Sequence, residues 1–217
     1  MNLLLFFDRW RILVDIEIAP NFTCGKWDAL KPKLDPNGDW AACPREWERA
    51  VEVFRARIEK RFLDSVGRLE TVPYAGFAIL ALDCLLIETI QAFKNGKHAE
   101  TPKESRRAYE TFLTSSTRFQ KYFSSPRVQD FYTNMRNGLL HDGETRKGWL
   151  VKANPQYDLV DPQPDGSIIV NRERFHDVLV KDFKAYVRDL SNPANKELRQ
   201  NLVSAINDLC DRSRPKP

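Results

Sequence analysis

Arg136, Asn137 and His141 fall within one six-residue stretch, RNGLLH. An imidazole that titrates near neutral pH takes or gives a proton, and a permanently charged guanidinium holds a phosphate and stabilises negative charge as it builds. Asn137 supplies a carboxamide that can orient either group. These side chains suit metal-free cleavage of RNA. In that reaction the ribose 2′-hydroxyl attacks the adjacent phosphorus, so the protein contributes acid–base help and phosphate electrostatics rather than a nucleophile of its own.

The helix that carries them sets their directions. Ser125-Pro126 is a helix start, and Val128, Phe131, Tyr132, Met135 and Leu139 follow at core-facing spacing. At about 100° per residue, the stripe Val128, Tyr132, Met135, Leu139 spans about 60°. Asn137 and His141 then lie about 40° apart and roughly opposite that stripe, facing water or another chain. Arg136 sits on the flank, about 140° from His141, where only a long guanidinium arm or a two-fold mate bridges the gap. Such residues on an exposed face are commonly solvated surface, and three fixed positions in six recur by chance, so the weight rests on the surrounding sequence.

Four segments follow from that sequence. Residues 1–43 read as a strand (RILVDIEI) and then an ordered arm, NFTCGKWDALKPKLDPNGDW, with no clear helical period. Residues 44–145 form a helical bundle. Its first helix starts at Pro44 and faces the core with Trp47, Val51, Phe54, Ile58, Phe62, Val66 and Leu69. Tyr74 to Phe93 is apolar nearly all round, as a covered central helix is, and Asn95-Gly96 stops it. Thr101-Pro-Lys-Glu104 is a capping box opening the third helix, with Tyr109, Phe112, Leu113, Ser116, Phe119 and Phe123 inside. Residues 146–171 switch to period two (GWLVKA, a turn region NPQYDLVDPQPDG, SIIVN) and read as a small β-hairpin appendage. Residues 172–217 hold two further amphipathic helices that pack on the bundle, marked by Phe175, Leu179, Phe183, Val187, Leu190 and by Leu198, Leu202, Ile206, Leu209. The fold class is therefore mainly α, one domain overall.

RNGLLH, near the end of the last of four helices and after a long apolar central one, resembles the RNxxxH motif of the HEPN ribonucleases, and FYTNMRNGLLHDGETRKGW is similar to a bacterial subgroup of that family. The resemblance covers roughly residues 44–150 and is most specific at Arg136, Asn137 and His141. It implies a HEPN-like four-helix bundle and a homodimer in which two motif helices meet and form one cleft. It also implies metal-independent endoribonuclease activity that leaves a 2′,3′-cyclic phosphate, without a cofactor, in a toxin–antitoxin, defence or stress system with an antitoxin or nucleotidyltransferase partner. Some members have lost catalysis and bind RNA, nucleotide or a partner protein instead. The chain exceeds a minimal domain of this family by its arm, its β-appendage and its two last helices.

Five more residues join the candidate site. Asp83 and Glu88 interrupt the central apolar helix, where a carboxylate can orient His141 or Arg136, the alternative being an internal salt bridge. Thr145, Arg146 and Lys147 follow the motif and can contact an RNA backbone, the alternative being solvated loop charges. His98 and His176 have no partner visible in the sequence and read as structural; the five tryptophans read as packing residues. Lys and Arg exceed Asp and Glu by 34 to 30, which permits an anionic partner without demanding one. Four scattered cysteines lack metal-ligand or disulfide spacing. MNLLLFF is interrupted by Asp8, Arg9 and Arg11 before an h-region develops, and the run Tyr74 to Ile87 is short for a membrane span, so the expectation is a cytoplasmic protein without a membrane partner. A helical interaction protein that uses its appendages as a docking surface is the remaining reading.

Overall fold

The computed structural model describes residues 15–35 and 38–214. It is mainly helical, with the sequence-derived helices close to their expected places. MNLLLFF, the first half of RILVDIEI and the last residues of the basic tail lie outside the described residues.

Strands β1 (Glu17–Ala19) and β2 (Phe22–Thr23) form a small antiparallel pair. The arm read as irregular contains a helix, α1 (Cys24–Leu30), whose N-terminus is capped by the Thr23 hydroxyl accepting from the Lys26 N–H. Seven residues are too few for an apolar period to appear, and the signal lay in the cap. Helix α2 (Pro44–Ile58) leads through a wide π-helical turn at Glu59–Leu63 into α3 (Asp64–Leu69). Helix α4 (Gly76–Asn95) ends at Gly96, which takes the left-handed conformation at φ 78°. Helix α5 (Pro102–Ser115) has the complete capping box between Thr101 and Glu104. It stops earlier than its apolar stripe suggested, and Phe119 and Phe123 reach the core from the following turns.

The motif helix begins as α6 (Ser125–Phe131). Strands β3 (Trp149–Lys152), β4 (Val160–Pro162) and β5 (Ile168–Asn171) make one sheet in the order β3-β5-β4. This corrects the expected hairpin of GWLVKA with SIIVN: those two segments pair in parallel, and β4, within the stretch read as turn, makes the antiparallel hairpin with β5. Parallel strands need a connection long enough to cross back, and residues 153–167 supply it. Helices α7 (Arg172–Ser191) and α8 (Lys196–Ser213) complete the chain.

One apolar core runs through all of this, from Phe22 and Trp27 of the arm to Val170 of the sheet and Leu209 of α8. Helix α4 is its axis, packed by α5, α7 and α8. By length and composition α4 is also apolar enough to cross a membrane, and its apolarity here serves burial in the bundle. Next to the motif, aromatic rings fix α6: Phe131 stacks on Phe175 at 5.8 Å and meets Trp149 edge-on at 5.5 Å. The Trp149 indole donates to Asp130 Oδ2 at 2.8 Å, and Asp130 Oδ1 accepts from Asn134 at 2.6 Å, so the sheet and the motif helix hold each other.

Two histidines with no sequence-visible partner have one in the fold. His98 Nδ1 lies 2.8 Å from Asp208, and His176 Nδ1 lies 2.7 Å from the fully buried Asp83. Burial opposes the His176 imidazolium, but the Asp83 hydrogen bond and charge outweigh it and raise its pKa, while burial also raises that of Asp83. A raised imidazole pKa gives stability that is complete below the unfolded value of about 6.5 and is lost as pH rises through the higher folded value. His98 is shifted the opposite way, downward by burial. Comparison of the parent with His176→Gln isolates the pair: the melting-temperature advantage of the parent is expected to be larger at about pH 6 than at about pH 8.5. An advantage that does not change with pH would refute this linkage.

Candidate active site

Beyond Phe131 the motif helix stops being an α-helix. Tyr132–Arg136 and Gly138–Asp142 are two successive π-helical turns: the Asn137 N–H bonds the Tyr132 carbonyl, and the Gly143 N–H bonds the Gly138 carbonyl, each five residues back. Each wide turn takes an extra residue, so positions after Tyr132 lag behind an α-helical register. The angles expected from α-geometry fail here for that reason.

Arg136 is the residue most affected. Instead of standing out on a flank it turns inward, with its side chain only 14% exposed. Nη2 donates to Glu88 Oε2 on α4 at 2.8 Å, and Nη1 donates to Asn137 Oδ1 at 3.0 Å. Its Cζ lies 5.2 Å from the Tyr132 ring centroid. Burial works against the guanidinium charge, but the Glu88 hydrogen bond and charge prevail and raise its pKa, so it stays protonated. One donor, Nε, is buried with no acceptor among the described residues. Glu88, one of the two carboxylates singled out on the central helix, is thus the partner of the motif arginine. Asp83 is not: it is one and a half turns away and bonded to His176.

Asn137 is half-buried, and His141 is exposed and makes no hydrogen bond among the described residues. His141 therefore points outward as its sequence position indicated.

The segment after the motif folds back on it. Gly143 takes φ 72°, the Glu144 N–H reaches the Gly138 carbonyl at 3.3 Å, and the Arg146 N–H reaches the Asn134 carbonyl at 2.9 Å. Gly138 permits this approach, because a Cβ there would lie 2.3 Å from the Glu144 carbonyl oxygen. Thr145 donates its hydroxyl to the Trp149 carbonyl at 2.5 Å, so it shapes the loop instead of facing a ligand. Arg146 is ion-paired with Asp142. Lys147 is exposed in the left-handed region at φ 48°, and it and the exposed Glu144 are the charged residues of this loop without an ion pair among the described residues.

A residue not singled out in the sequence also belongs here. Arg106 on α5 is exposed, and its Cζ lies 5.5 Å from the same Tyr132 ring that Arg136 contacts. The Tyr132 hydroxyl is in turn held by Ser105 Oγ at 2.9 Å. Its only sequence signal was the Arg106-Arg107 pair on an amphipathic helix. Two guanidinium groups sharing one aromatic ring can bind a phosphodiester. Among the described residues no three His, Cys, Asp or Glu side chains are grouped to hold a metal ion.

The close approach at Gly138 gives a direct test. Gly138→Ala forces the loop off the helix and is expected to cost about 1–3 kcal/mol in chemical denaturation, as overpacking does. Gly143→Ala, with open space around its Cβ, is expected to cost only about 1 kcal/mol through its positive φ. Equal stability of the Gly138 variant and the parent would show that the loop does not depend on this contact. No family model matches the chain, and neither a curated protein nor a solved structure is similar to it.

Proposed function

We propose that this protein is a metal-independent endoribonuclease of the HEPN RNxxxH type, with His141 as general acid or base and Arg136 as the group that binds the scissile phosphate. The observation that carries this reading is the Arg136 environment: a guanidinium packed against Glu88, Asn137 and Tyr132 is held in one orientation, five residues before an exposed His141 in the same motif. Asn137 orients Arg136, and Arg106 extends the cationic surface along the strand. The 2′-hydroxyl attacks phosphorus, His141 accepts its proton or supplies one to the departing 5′-oxygen, and the products are a 2′,3′-cyclic phosphate and a 5′-hydroxyl. No cofactor takes part.

The site is half of a pair in this reading. Leu85 on α4 is 40% exposed and lies one turn before Glu88, with Phe77 exposed two turns earlier on the same helix. An apolar strip beside the motif is suited to a second copy of the chain, which brings a second Arg136 and His141 to one cleft. A cytoplasmic toxin–antitoxin, defence or stress role, with an antitoxin or nucleotidyltransferase partner, accompanies this reading.

A second reading, a HEPN dimer that binds RNA, nucleotide or a partner without cutting, is favoured by one observation: Arg136 already has Glu88 as counter-ion, and among the described residues none hydrogen-bonds His141.

In the nuclease reading His141→Ala lowers RNA cleavage by about two to four orders of magnitude, leaves the melting temperature unchanged, and the parent activity survives EDTA. Cleavage abolished by EDTA, or an alanine variant as fast as the parent, rejects the mechanism; RNA binding without a cyclic-phosphate product selects the second reading. Leu85→Glu is expected to convert a dimer to a monomer in light scattering and to lose cleavage with it. A monomeric parent that cuts RNA at full rate would reject the composite cleft.

A further inference from the structure

Of the four cysteines in the chain, two meet in the fold. Cys24 opens α1 and Cys210 lies near the end of α8, so almost the whole chain separates them and no spacing in the sequence joins them. Helix α1 lies against α8: the Trp27 indole donates to Asn207 Oδ1 at 2.8 Å, and Asp28 is ion-paired with Arg214. Cys24 stands one turn back from Trp27 on α1, and Cys210 one turn on from Asn207 on α8. There the two thiols are hydrogen-bonded to each other, and both residues are buried. Of the other two, Cys84 is buried in α4 beside Tyr109, and Cys43 is half-buried at the start of α2.

The third member of the group is Arg57 of α2, whose charge has no counter-ion. Nη1 donates to the Ile18 carbonyl at 2.6 Å, while Nε is buried with no acceptor, and no carboxylate pairs with the guanidinium among the described residues. Burial, with the repulsion of Arg61 and Arg212, lowers its pKa to about 10, which still leaves it charged at neutral pH. The groups whose negative charge would offset that penalty are Cys210 and Cys24. Burial, and then the contact with Cys24, push the Cys210 thiol up to about 12, so Cys210 is the proton-bearing member of the pair.

We propose that Cys24 and Cys210 form a dithiol oxidation site, with a low-molecular-weight disulfide of the glutathione type as the oxidant and Arg57 as the cation that holds the reacting thiolate. The Cys24 thiol gives its proton to solvent and attacks one sulfur of the small disulfide. That S–S bond breaks, and the departing thiolate takes a proton from solvent. Cys210 then loses its proton and attacks Cys24 in the mixed disulfide, releasing the second small thiol. Two protein thiols are oxidised to one disulfide, and one small disulfide is reduced to two thiols. Sulfurs already in contact are joined with little movement of the backbone. Access comes from α1, a seven-residue helix tied to α8 by an indole hydrogen bond and a half-exposed ion pair, the kind of short element that opens locally. The bond staples the arm to the last helix around a loop of almost the whole chain, and a longer loop restricts the unfolded chain more. The site does not depend on RNA being cut at His141.

The test incubates the full chain with mixtures of reduced and oxidised glutathione, blocks the remaining thiols with an alkylating reagent in denaturant, and maps the products by mass spectrometry. A linked pair of peptides carrying Cys24 and Cys210 is expected, with Cys84 left free. The oxidised chain is expected to melt about 5 °C or more above the reduced one, an increase that dithiothreitol removes. Cys24→Ser and Cys210→Ser should each abolish the linked peptides and the higher melting temperature. Arg57→Gln should slow formation of the bond about tenfold, and Arg57→Lys should restore most of the rate. Glutathione attached to single cysteines with no Cys24–Cys210 bond, or a bond between any other pair, overturns the proposal. A bond that forms as fast in Arg57→Gln as in the parent overturns the part given to Arg57. The peptide map of the parent and the serine variants decides the site even if Arg57→Gln fails to fold.

Discussion

The burial of α4 is the constraint on which the rest of this structure depends. A helix apolar nearly all round must be largely covered, and α5, α7 and α8 bury it except along the strip of Phe77 and Leu85, with Phe54 of α2 against its Phe93 at 4.6 Å. Within that helix two carboxylates, Asp83 and Glu88, enter a medium that penalises unpaired charge. Each is answered from a different element: Asp83 by His176 of α7, Glu88 by Arg136 of the motif helix. The first pairing ties the C-terminal part to the core. The second fixes the residue on which a function would turn.

This arrangement gives a reason for the irregular geometry of the motif. An α-helical continuation from Phe131 would leave Arg136 on a flank, away from Glu88. The first π-helical turn, Tyr132–Arg136, shifts the register where the guanidinium reaches inward, and the second, Gly138–Asp142, carries the exposed His141. Wide turns are costly in backbone terms, and they recur where a side chain has to be re-aimed. Gly138 belongs to the same solution, since the returning loop passes too near its Cα for any side chain. A single feature, the re-aimed arginine, thus connects helix geometry, loop path and ion pairing.

The parts outside the four-helix set are structurally continuous with it. Trp149 of β3 and Phe175 of α7 both pack on Phe131, and Asp130 joins the sheet to the motif helix. Trp27 of α1 donates to Asn207 of α8 at 2.8 Å, joining the arm to the last helix. The segments that read as an arm, an appendage and two added helices therefore share one core.

The sequence by itself determined the helices whose signals are local. The Thr101 capping box, the Gly96 stop and the apolar stripe of α2 are set by neighbouring residues and appear where they were read. It also determined the outward direction of His141 and the candidacy of Glu88. Helix α1 escaped because it is short, and the parallel pairing of β3 with β5 escaped because strand order is a long-range choice that local period two does not encode. Only the tertiary structure decided that Arg136 faces Glu88, that Asp83 belongs to His176 and that Arg106 shares the Tyr132 ring with Arg136. Each of these depends on which side chain answers a buried charge or ring across distant segments. A single sequence lists the groups that need partners, and the packing of α4 assigns them.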